Sequence, residues 1–123
     1  MINNQLSVPV KQFDLETRTF SFARRCRDFC KTLFTSIQSR EYTAQLVRSS
    51  GSVAANYIEA NEAISKKDFV LRLKICRKEA KESRLWLKLC EPPHNQEIEQ
   101  KALEQEAFEL VKIFNAIIEK IGN

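Results

Sequence analysis

An all-α fold, an up-and-down antiparallel four-helix bundle, follows from three features of this 123-residue sequence. Glycine occurs twice and proline three times, which leaves little turn chemistry for hairpins. Apolar residues recur at three- and four-residue spacing through four long segments, the signature of a buried helical face. The links between those segments are short, so successive helices fold back on one another. A chain of this length builds one core without disulfides or metal to hold it.

Residues 1–13 contain Pro9 and no sustained period, and they are expected to form a loose arm ending near Phe13, with Asp14 as a cap. The first helix, expected over about residues 15–36, puts Leu15, Phe22, Cys26, Phe29, Leu33 and Ile37 on one face. Phe20 and Phe34 lie well round toward the opposite side, to be covered by the arm or by a second subunit. The second helix, about residues 40–63, carries Tyr42, Leu46, Ser50, Val53, Tyr57, Ala60 and Ile64 at helical spacing. Its run Ser49-Ser50-Gly51-Ser52-Val53-Ala54-Ala55-Asn56 is built of small side chains. Gly51 costs about 1 kcal/mol of helix propensity, so close packing against a facing helix is expected to compensate.

Ser65 with Asp68 three residues on starts the third helix, about residues 66–90. Phe69, Leu73, Cys76, Ala80, Ser83, Leu87 and Cys90 step by four and three along its core seam. Leu71, Ile75, Trp86 and Leu89 widen the apolar arc. Glu91-Pro92-Pro93 ends the helix, because proline cannot continue the hydrogen-bond ladder. Asn95 is expected to cap the fourth helix, about residues 96–121, whose inner face is Leu103, Ala107, Leu110, Phe114, Ile117 and Ile121, widened by Val111 and Ile118. Early Glu97 and Glu99 and late Lys120 suit the helix dipole, and Gly122 is a natural stop.

The net charge of +4 hides an asymmetry. Residues 66–90 hold nine Lys or Arg against three acids, residues 15–36 five against two, and residues 95–123 three Lys against six Glu. Lys67, Lys74, Lys81 and Lys88 recur every seven residues opposite the core seam of the third helix, with Arg77, Lys78 and Arg84 on the flanks. Arg24, Arg25, Arg27 and Lys31 make the first helix the second basic surface. Charge segregated in this way attracts anionic polymers. Lysine and arginine bind phosphate backbones through charge density alone, and no aromatics interleave the lysines to stack bases.

Other chemistries are poorly supported. Glu59-x-x-Glu62 and Glu79-x-x-Glu82 could hold Mg²⁺ in an all-α nucleotide pyrophosphohydrolase, but Glu79 lies some 14 residues into its helix, roughly 20 Å along the axis from the hairpin turn. Ion pairing is the simpler role, with Lys78 facing Glu82 one turn on. The lone histidine, His94, sits beside the Pro-Pro turn, and Cys76 and Cys90 are about 21 Å apart along one helix, so no metal site is expected. No Ser or Cys has a histidine at helical spacing to activate it. The four cysteines form no C-x-x-C pair and read as small core residues. The opening residues lack a secretory pattern, and no window approaches the roughly 18 apolar residues of a membrane span. A cytoplasmic protein with no cofactor, metal or membrane partner is expected.

Three blocks occur in order: Arg48-Ser49-Ser50-Gly51-Ser52-Val53-Ala54-Ala55-Asn56-Tyr57-Ile58-Glu59-Ala60, then Ser65-Lys66-Lys67-Asp68-Phe69, then Lys78-Glu79-Ala80-Lys81-Glu82-Ser83-Arg84-Leu85-Trp86-Leu87. They resemble the four-helix-bundle proteins named after intervening sequences in bacterial 23S rRNA genes. That resemblance implies a cytoplasmic bacterial bundle that assembles into a ring-shaped homopentamer. The chain is also similar to the accessory variability determinant proteins of diversity-generating retroelements, which work with a reverse transcriptase and RNA. The third helix here is more basic than in ordinary intervening-sequence proteins, which leans toward the retroelement branch. No catalytic residues carry over from the resemblance. The expected function is a non-enzymatic RNA- or DNA-binding adaptor. Its alternative is an assembly scaffold in which the basic third helix meets the acidic fourth helix of a neighbour.

Overall fold

The computed structural model describes residues 8–122, with side chains from Leu15 to Ile121. Four helices, α1 (Val8–Cys30), α2 (Ile37–Asn61), α3 (Lys66–Leu89) and α4 (Glu97–Gly122), follow one another, with a single 3₁₀ turn at His94–Gln96 leading into α4. No strand occurs among the described residues. α2 packs against α1 and α3, and α4 packs against α3 and, less extensively, α1. α1 and α3 thus occupy opposite corners of the bundle, as do α2 and α4.

The expected inner faces meet in one cluster. Phe22, Cys26 and Phe29 of α1, Leu46, Val53 and Tyr57 of α2, Leu73, Cys76 and Leu87 of α3, and Leu103, Leu110 and Phe114 of α4 are buried together. The Tyr57 ring lies against Phe114 with centroids 6.3 Å apart. Between α2 and α3 the small residues set a close approach, and the Ser49 and Ser83 hydroxyls are 2.8 Å apart. Ser83 donates to the Glu79 carbonyl at 2.9 Å, so Ser49 is the donor across the interface. Ser50, buried beside it, faces the Cys26 thiol of α1. The serine run therefore serves two neighbouring helices at once.

Helix boundaries depart from the expected ones for physical reasons. α1 begins at Val8, so residues 8–13 are helical rather than an arm; Pro9 sits in the first turn, where a missing N–H costs nothing. Asp14 is accordingly inside the helix, and residues 1–7 lie outside the described part. α1 ends at Cys30, six residues early, because Thr32 donates its hydroxyl to the Phe29 carbonyl at 2.6 Å while the Thr32 and Leu33 amides make tight turn bonds to Phe29 and Cys30. Ser36 then caps α2 through a reciprocal pair with Ser39, each side chain accepting from the other's backbone N–H at 3.0 Å. Ile37 consequently opens α2 on an exposed position instead of closing the core face of α1.

At the other end of the hairpin α2 stops at Asn61, leaving Ile64 in the link and 97% exposed. Ser65 caps α3 as expected, accepting from the Asp68 amide at 3.0 Å. The end of α3 has a device the pattern did not reveal. Buried Gln100 of α4 donates to the carbonyls of Leu87 (2.9 Å) and Cys90 (2.8 Å). Those carbonyls would otherwise be left without partners ahead of the two prolines.

Candidate nucleic-acid interface

α3 is straight enough in pattern to present Lys67, Lys74, Lys81 and Lys88 in a line about 31 Å long, at 1.5 Å per residue. All four are exposed, and none has a hydrogen-bond or ion-pair partner among the described residues. At the N-terminal end of α3, Lys66 joins Lys67 and Lys74 around an open cavity of about 550 Å³ floored by Val70 and Leu71. The lysine row is not purely polar. Leu71, Leu85 and Leu89, exposed by 53%, 48% and 40%, stand among the lysines on the same outer face. Leu85 falls four residues after Lys81 and seven after Lys78, a spacing visible in the sequence once the lysine face is drawn.

The other basic residues expected at the interface are engaged. Lys78 lies 3.9 Å from Glu79, not beside Glu82. Arg77 donates to the Asn115 side chain of α4 at 2.7 Å. The Arg84 guanidinium stacks over the Phe108 ring at 4.7 Å, with Lys112 on the same ring at 5.0 Å. On α1, Arg25 grips Glu99 of α4 with two bonds of 3.1 and 3.0 Å. That hydrogen bond to Glu99 holds the Arg25 pKa above its ordinary value. Arg24 covers the Phe20 ring at 5.3 Å, and Arg27 and Lys31 flank Asp28 at 2.9 and 3.9 Å. The two basic surfaces do not merge, since α1 and α3 are diagonal.

The acidic pairs part company as well. Arg48 of α2 reaches both Glu79 and Glu82 at 3.4 Å, and the Glu79 side chain is only 7% exposed. Glu79 thereby has a closer partner on α2 than Lys78 of its own helix. Glu59 and Glu62 stay exposed near the end of α2, away from that cluster. Among the described residues no group of three or more His, Cys, Asp or Glu side chains is placed to hold a metal ion. Arg72 extends the α2–α3 seam by donating to Asn56 at 3.2 Å, and Asn56 in turn donates to the Ser52 carbonyl at 2.9 Å. Arg48 opens the block that carries the family resemblance without a role assigned to it there, and Arg72 belongs to none of the three blocks.

The thiols are unreactive by environment. Burial pushes Cys76 and Cys90 up to about 12 and Cys30 to about 11, and drives Cys26 higher still. No helix among the described residues is long and apolar enough to cross a membrane.

Comparison with known proteins supports the same fold. A crystal structure of a protein of unknown function from the S23 ribosomal protein family of Bacteroides thetaiotaomicron superposes with a TM-score of 0.71 at 28% identity, covering 89% of this chain and 98% of that one. No curated protein matches the chain significantly. The family profile for the 23S rRNA-intervening sequence protein matches residues 11–116, nearly the whole bundle, and the chain belongs to that family.

Proposed function

We propose that the chain is a non-enzymatic adaptor that grips the phosphate backbone of RNA or DNA with the outer face of α3 and works as a homo-oligomer. One observation carries the reading. Lys67, Lys74, Lys81 and Lys88 are exposed and unpaired in a single row, while the arginines of α1 and the flanks of α3 are held by side chains of the same chain. Unpaired cations along one line release counterions from a polyanion without needing particular side-chain geometry. The ring of five copies implied by the resemblance is one form such an oligomer can take. The narrower role, an adaptor beside a retroelement reverse transcriptase, rests on the similarity to accessory variability determinant proteins.

The competing scaffold reading asks the α3 lysines to meet acidic α4 residues of a neighbour. Four of those acids are already occupied within the chain: Glu106 by Arg18 at 2.7 Å, Glu99 by Arg25 at 3.0 Å, and Glu104 and Glu109 by Lys101 and Lys112 at 3.8 Å. The test is binding of labelled RNA and DNA, duplex and single-stranded, at low and moderate salt, with wild type against Lys74→Glu plus Lys81→Glu. Salt-sensitive binding that the double variant loses while keeping its fold is the expected result. Absence of wild-type binding at low salt overturns the proposal in favour of the scaffold.

A further inference from the structure

The lysine row of α3 has no aromatic of its own helix standing in it, but α4 brings one alongside. Phe108, 37% exposed, lies under the Arg84 guanidinium, whose central carbon is 4.7 Å from the ring centroid. Arg84 is three residues after Lys81 and four before Lys88, so its side chain neighbours both on the surface of α3. Row and ring therefore share one surface, which neither helix shows in its own sequence.

Arg84 differs from the other arginines at the helix seams. Arg18, Arg25 and Arg48 end on carboxylates, and Arg72 and Arg77 donate to asparagine side chains. Arg84 makes no hydrogen bond among the described residues, and its Nε is buried without an acceptor. The acids on either side of Phe108 are spent elsewhere: Glu104 pairs with Lys101 and Glu109 with Lys112, each at 3.8 Å. An unmet guanidinium N–H costs free energy wherever water cannot supply the acceptor. What holds Arg84 is the ring alone, and a ring covers only one side of a planar group. Lys112 stands over the same ring at 5.0 Å, so the guanidinium, more than the ring, is the plane left for a ligand.

We infer that Arg84, backed by Phe108, is a stacking platform for an unpaired nucleobase, so that the ligand completing this face is a single strand of RNA or DNA. A base supplies what Arg84 lacks: a flat π face for the uncovered side of the guanidinium, and ring-nitrogen and carbonyl acceptors at its edge for the N–H groups. Phosphates of the same strand fall to Lys81 and Lys88, one turn away on either side. Within a duplex each base face is covered by its neighbours. The platform therefore engages an unpaired strand, while the lysines take phosphates of either form. The inference rests on the phosphate-binding function proposed above and names the form of nucleic acid it selects.

The test is fluorescence anisotropy at low salt with the full chain as wild type, Arg84→Lys, Phe108→Leu and Lys74→Gln plus Lys81→Gln, with circular dichroism to confirm the helices. The probes are labelled oligouridylate, oligothymidylate, an abasic strand of the same length and charge, and a duplex. Wild type is expected to bind both base-bearing strands about fivefold or more tighter than the abasic one. Arg84→Lys keeps the charge and loses the plane, and Phe108→Leu keeps apolar bulk and loses the ring. Each is expected to bring that ratio within about twofold. The lysine pair is expected to weaken all three strands and keep the ratio. Equal wild-type binding of abasic and base-bearing strands, a ratio that Arg84→Lys preserves, or binding of the duplex alone overturns the platform and leaves the phosphate-binding function standing. Absence of binding to every probe overturns both.

Discussion

Replacing Lys74 and Lys81 by glutamine removes two of the four unpaired cations in the α3 row and disturbs no contact made within the chain. For a duplex the logarithm of the binding constant falls with the logarithm of salt at about 0.9 per phosphate neutralised. Four lysines set a slope of about −3.6, so wild-type affinity should fall roughly 150-fold between 50 and 200 mM salt. The double variant should show a slope of about −1.8 and a fall of only about 12-fold over the same range. Fluorescence anisotropy with a labelled duplex across five salt concentrations measures the slope directly. Arg25→Gln is the control, because Arg25 already satisfies Glu99 with two bonds. The reasoning is refuted if the slope stays above about −1 in wild type, or if Arg25→Gln flattens it as much as the lysine pair does.

Arg48→Ala leaves the buried Glu79 carboxylate with only the distant Lys78 ammonium, and should cost about 1–3 kcal/mol in urea denaturation, with Glu79→Gln in the same background recovering part of it. Gly51→Ala should stabilise the isolated chain by about 1 kcal/mol, because the new methyl group meets nothing and helix propensity improves; calorimetry at dilutions that hold the chain single is the check. The buried thiols Cys26, Cys76 and Cys90 stay protonated in the fold above their ordinary value of 9.0, while the unfolded chain ionises there and binds fewer protons. Stability should therefore be flat below about pH 8 and fall above about pH 9, by about 4 kcal/mol per pH unit for three thiols, until the folded thiols themselves ionise. Gln100→Ala uncaps the Leu87 and Cys90 carbonyls and should cost about 1–3 kcal/mol, read from the shift in urea midpoint.

The helices were legible because their inner faces obey a strict period. Leu73, Cys76, Ala80, Ser83 and Leu87 are all buried, as the three-four spacing requires. Boundaries were legible only where a side chain announces them before an apolar run, as Ser65 and Asp68 do. Ser36 and Ser39 form an equally good capping pair, but they sit inside a stretch whose spacing also continues α1. Periodicity and capping then give different answers, and the Thr32 hydroxyl decides between them. The exposure of Phe34, at 70%, follows from that decision, since it lies in the link and not on a helix. Phe20 has a different cause: it is helical but off the core face of α1, at the rim of an open groove beside Ala54 and Ile58 of α2.

Charge was harder to read, because a sequence shows where cations are and not what already holds them. Arg25 and Lys74 look equivalent in a count, yet Arg25 is spent on Glu99 across the α1–α4 seam and Lys74 is free. The difference has a chemical basis. A guanidinium satisfies a carboxylate bidentately or stacks flat on a ring, so arginines near a helix seam are drawn into the fold, as Arg18, Arg25, Arg48, Arg77 and Arg84 all are. An ammonium on a flexible stem is strongly hydrated and gains little from the same acids, so lysines far from the seam stay in water. In this bundle the arginines join the helices to one another and the lysines are left facing outward. A basic surface assigned from sequence should accordingly weight lysines opposite the core seam above arginines beside it.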